Sequence, residues 1–405
     1  MHRHVKLFQH HLAPTSPEPM MLHVARAKGS YLVDIHNRRY IDLISGISVG
    51  ALGHGHPAVA NAIRRQLRRH LHVMVYGEFV QAPQVQLAER LLAYSPPEIN
   101  CVYFVNSGSE ATELAMKLAK RVTARPHIAA FGQAYHGSTQ GALSLIGSPC
   151  FQEAFRPLIP GVRHLKYNDL SELAKIDRTV AAVFVEAIQA EAGCRIGSVE
   201  FFQALQARCR ETGALLVVDA CQTGMGRTGT FWGYESSGIQ PDIILSAKAL
   251  GGGLPLGAVL AARDLLKELS HRPALGHITT FGGHPLSCTA GLATLKVIEK
   301  EGLVQEAIRK ETIVRHFPWP PEVREIQGRG LLLALHLPLG TNAPHLSRLA
   351  QEAGVITDWF LFRSDCLRIA PPLNIPDKIL MKGLKILAQV IQKETHNQYK
   401  MEKGI

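Results

Sequence analysis

Two residues carry chemistry that their surroundings do not explain. In "PDIILSAKALGGGLPLGA", Lys248 follows an apolar run and precedes three glycines, where a solvated lysine has no reason to be. An amine in that setting is a candidate nucleophile. Asp219 lies 29 residues earlier and closes another apolar run, "ALLVVDA". If both runs are parallel strands, their ends share the sheet edge at which open α/β sheets bind ligands. A buried Lys–Asp salt bridge would satisfy the same two residues, although such pairs are seldom net stabilisers.

A third feature is "NSGSEATELAMKLAKR", a Ser-Gly-Ser turn between a strand ending at Val105 and a helix. The helix has Glu110 early and Lys117, Lys120 and Arg121 late, which suits its dipole. It reads equally as an ordinary helix capped by Ser107 or Ser109 and as an anion seat built from free amides. A lysine amine, a carboxylate and a phosphate seat together match the needs of pyridoxal 5′-phosphate. Lys248 would bond its aldehyde as an imine, Asp219 would keep its ring nitrogen protonated, and Gly108 and Ser109 would hold its phosphate.

The elements that must position these groups are legible as periodicity. Apolar, β-branched runs recur at 101–105, 127–131, 181–187, 214–220, 242–248 and 257–262, and helical patterns separate most of them. Continuous apolar strands alternating with helices predict an α/β fold, a mostly parallel sheet covered on both faces. The run at 257–262 follows the glycines too closely for a crossover helix, so one antiparallel strand is expected. Residues 1–49 contain "GSYLVDIHNRRYIDLISG", a hairpin or meander around His36-Asn37, and residues 305–405 mix helix with short strands. These two ends are expected to form one smaller α+β domain on a large domain of residues 50–304.

Other functions are weakly supported. "GMGRTG" (224–229) has the spacing of a dinucleotide fingerprint, but "TFWGYESSGIQPD" after it has no helical period. No acid closes a second strand about 20 residues on. The net charge of +11 raises the question of nucleic acid, yet the densest patch, "NAIRRQLRRHLH", reads as an amphipathic helix with a basic face, packed through Ile63, Leu67 and Leu71. No aromatic residues interleave with its arginines. The seven cysteines are dispersed and form no CxxC pair, which fits thiols in a reducing cytoplasm. No metal-ligand spacing, signal-peptide core or membrane-length apolar run is found, so neither a metal nor a membrane is expected.

From about residue 15 to 390 the chain resembles the class III pyridoxal-phosphate aminotransferases of fold type I, which act on ornithine, acetylornithine and other ω-amino acids. "NSGSEATELAMKLAKR", "YHGSTQGALS", "VEAIQAEAG", "DACQTGMGRTG", "PDIILSAKALGGGLPLGA", "HITTFGGHPLSC" and "LRIAPPL" carry the resemblance, in order. It implies a seven-stranded sheet, Tyr135 stacked on the cofactor ring, Gln222 at the ring's phenolic oxygen and Cys221 beneath the ring. It implies Thr280 reaching the phosphate in the partner subunit, and hence a homodimer with shared sites. Arg368 would take a substrate carboxylate, Glu191 would pair with Arg368 when an ω-amino donor enters, and Tyr76 would contact substrate. The implied reaction is a ping-pong transfer from an amine donor to a 2-oxo acid through a pyridoxamine form.

The chain departs from the family pattern at Ala220, Ala187, Ser138 and Ile47. The family usually carries glutamate and proline at the first two, a change that bears on rate or folding. Ornithine- and acetylornithine-type members carry arginine at the third and ornithine enzymes tyrosine at the fourth, which argues against ornithine or acetylornithine as donor, although Tyr76 can fill a second tyrosine position. An aminomutase or decarboxylase would share Lys248 and Asp219. A nicotinamide- or flavin-dependent oxidoreductase would use the glycine fingerprint instead, and a degenerate binding protein would have lost turnover.

Overall fold

The computed structural model describes residues 3–403, with side chains described to residue 394. Its centre is a seven-stranded sheet in the order Cys101–Val105, Gly257–Ala261, Ile243–Ser246, Leu215–Asp219, Val180–Val185, His127–Phe131, Val162–Leu165. Gly257–Ala261 runs antiparallel to both neighbours, and the other pairings are parallel. Adjacent strand residues are buried on opposite faces. Leu216, Val218, Val183 and Ile244 join one core, whereas Val217, Ala182, Phe184, Ile243 and Leu245 join the other. That two-sided burial is why these strands read as unbroken apolar runs.

The helices Gly108–Thr123 and Val199–Thr212 each start at a serine whose hydroxyl accepts an amide hydrogen bond, Ser107 from Glu110 and Ser198 from Phe201. The two chain ends meet in one sheet, where Val355 pairs in parallel with Ile41 beside the hairpin Tyr31–Asp34 and Arg39–Asp42. A second antiparallel sheet orders Glu325–Arg329, Leu332–His336, Arg363–Ile369 and Trp359–Phe360. A separate core of Leu43, Leu335, Leu367 and Leu384 lies between these sheets and the C-terminal helix.

One local expectation is corrected. The basic helix is Pro57–Leu67 and buries Val59, Ala62 and Gln66, while Leu67 and Leu71 are exposed, Leu71 beyond the helix end. As its missing helical period implied, the "GMGRTG" segment is a chain of turns, followed by one 3₁₀ turn, Glu235–Ser237, and no α-helix before the next strand. Its Arg227 is buried and donates to the carbonyls of Leu331 and Pro371. A guanidinium spent on holding two backbone segments together leaves no dinucleotide loop. Among the described residues no helix is long and apolar enough to cross a membrane.

Candidate active site

Asp219 and the Lys248 strand are brought together by register. Asp219 pairs with Leu245 in parallel, and the Ala220 amide donates to the Leu245 carbonyl. The strand closes at Ser246, so Lys248 is not a strand residue but the first residue of a single 3₁₀ turn, Lys248–Gly251. Its φ is 53°, a left-handed conformation that costs a non-glycine residue about 1–3 kcal/mol and clusters at functional sites.

The cap and the anion seat turn out to be compatible. The Ser107 hydroxyl takes the Glu110 amide at 3.1 Å, and the Glu110 carboxylate takes the Asn106 amide at 2.7 Å. Gly108 and Ser109 are the first helical residues, whose amides have no partner within the helix. A side chain on Gly108 would meet the Cys221 sulfur at 3.1 Å, and one on Gly137 would meet the Ser109 hydroxyl at 2.2 Å. Gly137 also has φ 130°, so both space and backbone require glycine.

These segments enclose one cavity of ≈ 400 Å³, lined by Gly108, Ser109, Tyr135, His136, Asp219, Cys221 and Lys248, with Val49 and Leu254–Leu256 at its wall. Asp219 is buried and not paired with a lysine. Its Oδ2 lies 2.8 Å from His136 Nδ1, and its Oδ1 accepts the Cys221 amide at 2.9 Å. Burial alone would raise this carboxyl, but the His136 and Cys221 contacts overcome it and hold Asp219 below the usual range. The same pairing raises His136 against its own burial. Burial and the Asp219 charge push the Cys221 thiol well up. Behind Tyr135, whose amide it accepts at 3.1 Å, Glu186 is fully enclosed and raised by burial to about 8.

A second constellation lies at the small-domain edge. Arg368 is buried and makes a two-pronged bond to Glu191, Nη1 to Oε1 and Nη2 to Oε2, each 3.0 Å. Asp358 takes the Nε at 2.8 Å, and the Phe360 ring lies 4.3 Å from the guanidinium carbon. The charges of Asp358 and Glu191 raise Arg368 despite burial. Leu361 and Phe362 amides donate to Glu191.

The sequence model of the class-III aminotransferases matches residues 12–391. The acetylornithine aminotransferase of Methanopyrus kandleri is 37% identical over 389 residues, 95% of this chain and 97% of that protein. The Streptomyces coelicolor enzyme of the same name is 40% identical over 380 residues, 91% of each chain. Among solved structures, the Toxoplasma gondii ornithine aminotransferase superposes with a TM-score of 0.89 at 27% identity, covering 98% of this chain and 95% of that one. An omega transaminase from Pseudomonas jessenii, solved in complex with PMP, gives 0.89 at 27% identity over 96% and 98%. The chain belongs to the class-III aminotransferases.

As an enzyme of that family it is a transaminase of fold type I architecture. The aminotransferase's other expected residues fall outside the cavity wall. Gln222 is buried next to Cys221, with its Nε2 unpartnered among the described residues. Tyr76 is half-buried in a separate cavity of ≈ 250 Å³ with Thr279 and Gly282, and Thr280 is exposed. Sequence reasoning missed His136, Glu186 and Asp358 as members of the two clusters. His136 stood in view inside "YHG", but nothing local showed it would reach Asp219, 83 residues away.

Proposed function

We propose that this transaminase holds pyridoxal 5′-phosphate in the Lys248 cavity and moves the amino group of an ω-amino acid or diamino acid to a 2-oxo acid, with 2-oxoglutarate as default acceptor. The observation that carries the reading is the convergence of Lys248, Asp219 and the Gly108 helix start on one cavity. The protein groups fit the cofactor: a helix start for its phosphate, a low-lying carboxylate for its ring nitrogen, and an orphaned Gln222 amide for a ring oxygen. When bound, the cofactor supplies an electron sink for the carbon that bears the amine.

The chain's own groups do the rest. Lys248 would hold the cofactor aldehyde and, once displaced by substrate, move the proton at the amine-bearing carbon from a tethered position. Asp219, kept anionic by His136 and the Cys221 amide, would hold the proton on the ring nitrogen. Tyr135 and Cys221 would cover the two ring faces. Arg368 would take a substrate carboxylate on its fork of donors, with Glu191 closing that fork for donors that lack one there. Ser138, whose hydroxyl lies 3.1 Å from that of Tyr135, brings no positive charge to the donor side. We also propose a homodimer in which Thr280 completes the partner's site and Tyr76 contacts substrate, in a reducing cytoplasm suited to seven unbridged cysteines. Lys248→Ala should abolish both turnover and the visible absorbance of the bound cofactor; a variant that keeps that band would refute Lys248 as the anchor.

A further inference from the structure

Arg368 carries two carboxylates on two different edges of one guanidinium. Glu191 occupies the Nη1–Nη2 edge and comes from a short turn, Ala190–Ala192, that is 177 residues distant in the chain. Asp358 occupies Nε at 2.8 Å and comes from the segment that packs directly against the Arg368 strand. The Arg368 amide donates to the Asp358 carbonyl at 2.9 Å, and Thr357 Oγ1 donates to the Arg368 carbonyl at 2.7 Å. Asp358 is therefore bound to Arg368 by backbone as well as side chain, whereas Glu191 meets Arg368 through its side chain alone. A guanidinium presents a planar fork, and a second carboxylate can enter only by the edge whose present occupant can leave.

We propose that Asp358 is a positioning residue for acceptor recognition: it anchors Arg368 through Nε and keeps the Nη1–Nη2 edge aimed at the oxo acid after Glu191 is displaced. This rests on the reading of Arg368 as the carboxylate site. Once Glu191 has left, Phe360 holds only the face of the guanidinium and the Trp359 carbonyl only one Nη2 proton, at 3.2 Å. The stack opposes tilting of the guanidinium plane and the carbonyl bond is long and neutral, so neither holds the fork against swing within its plane. The Nε bond does, and it keeps the buried cation paired while the fork exchanges one carboxylate for another. The carboxyl of Asp358 is itself pushed up to about 6 by burial, opposed by the Arg368 charge.

The test measures the two half-reactions of the holoenzyme separately, with 2-oxoglutarate and pyruvate as acceptors, for Asp358→Ala, Asp358→Asn and Arg368→Ala. The amide oxygen that Asp358→Asn introduces would still accept from Nε, so rescue by this variant separates anchoring from charge. Asp358→Ala should raise the acceptor KM about tenfold, as expected for loss of a charge-assisted hydrogen bond, with the limiting rate and the donor half-reaction changed by less than about twofold. Asp358→Asn should stay within about twofold of wild type in acceptor KM, the neutral bond being the weaker but still directional one. An unchanged KM in the alanine variant would overturn the proposal, as would equal impairment of donor and acceptor half-reactions. If the alanine variant does not fold, a tenfold rise in acceptor KM for the asparagine variant is still sufficient to overturn it. An acceptor KM that Arg368→Ala leaves unmoved removes the underlying carboxylate-site reading instead.

Discussion

At the residue scale the site is a set of charges held in unusual places. Lys248 sits on a left-handed corner, and Asp219 is a buried carboxylate stabilised by one histidine and one amide. Glu186 beside them is the opposite case. Its carboxyl, about 8 in the folded chain against 4.5 in the reference state, keeps its proton at neutral pH. The unfolded chain releases that proton as pH rises past 4.5 and the folded chain only near 8, so the group's contribution to stability falls across this window. Glu186→Gln mimics the protonated acid and has no such loss. The melting temperature of the variant, relative to wild type, should therefore climb from pH 5 to about 8 and then level off. A gap that stays constant from pH 5 to 9 would show that Glu186 is ionised in the folded chain.

At the element scale the decisive contact is between a helix start and a loop. The Ser107–Glu110 cap sets where Gly108–Thr123 begins, and Gly137 lies so close to Ser109 that no Cβ fits. The anion seat is thus closed tightly around Ser109, Cys221 and Ala247, with no room for a side chain on either glycine. Gly137→Ala must push Ser109 away, an overpacking cost of about 1–3 kcal/mol, or about tenfold and more if it falls on cofactor affinity. We expect weaker pyridoxal phosphate binding by equilibrium dialysis with an unchanged circular-dichroism spectrum. Wild-type affinity in this variant would mean that the helix start does not hold the phosphate.

At the scale of the whole molecule, two exposed apolar segments bear on the proposed homodimer. Phe79, Val80, Leu71, Leu275 and Phe281 are exposed, and His72 packs on Phe281, so the two segments adjoin. An apolar patch of this kind marks an interaction surface, and the exposed Thr280 immediately precedes Phe281. If sites are shared, mixing inactive Lys248→Ala with inactive Thr280→Asp chains should restore activity, because one site of each mixed dimer would carry neither change. No recovery after subunit exchange, with mixed dimers verified by mass, would place Thr280 outside the partner's site.

The sequence by itself determined the two-sided sheet, its one antiparallel strand and the Lys248–Asp219–Gly108 triad. Periodicity, strand-end position and a capped glycine turn are local properties of the chain. Only the tertiary structure decided that His136 stands beside Asp219 and Asp358 beside Arg368. His136 reaches its partner over 83 residues, and no local pattern encodes such a meeting; the Glu191–Arg368 pair, 177 residues apart, was implied only by the family resemblance. Leu67 and Leu71 show the same limit from the other side. Their helical spacing predicted burial, but the helix ends at Leu67 and leaves both in the open. Burial is a property of the packed whole, set by what the fold happens to lay over a face, and that information is spread across the entire chain.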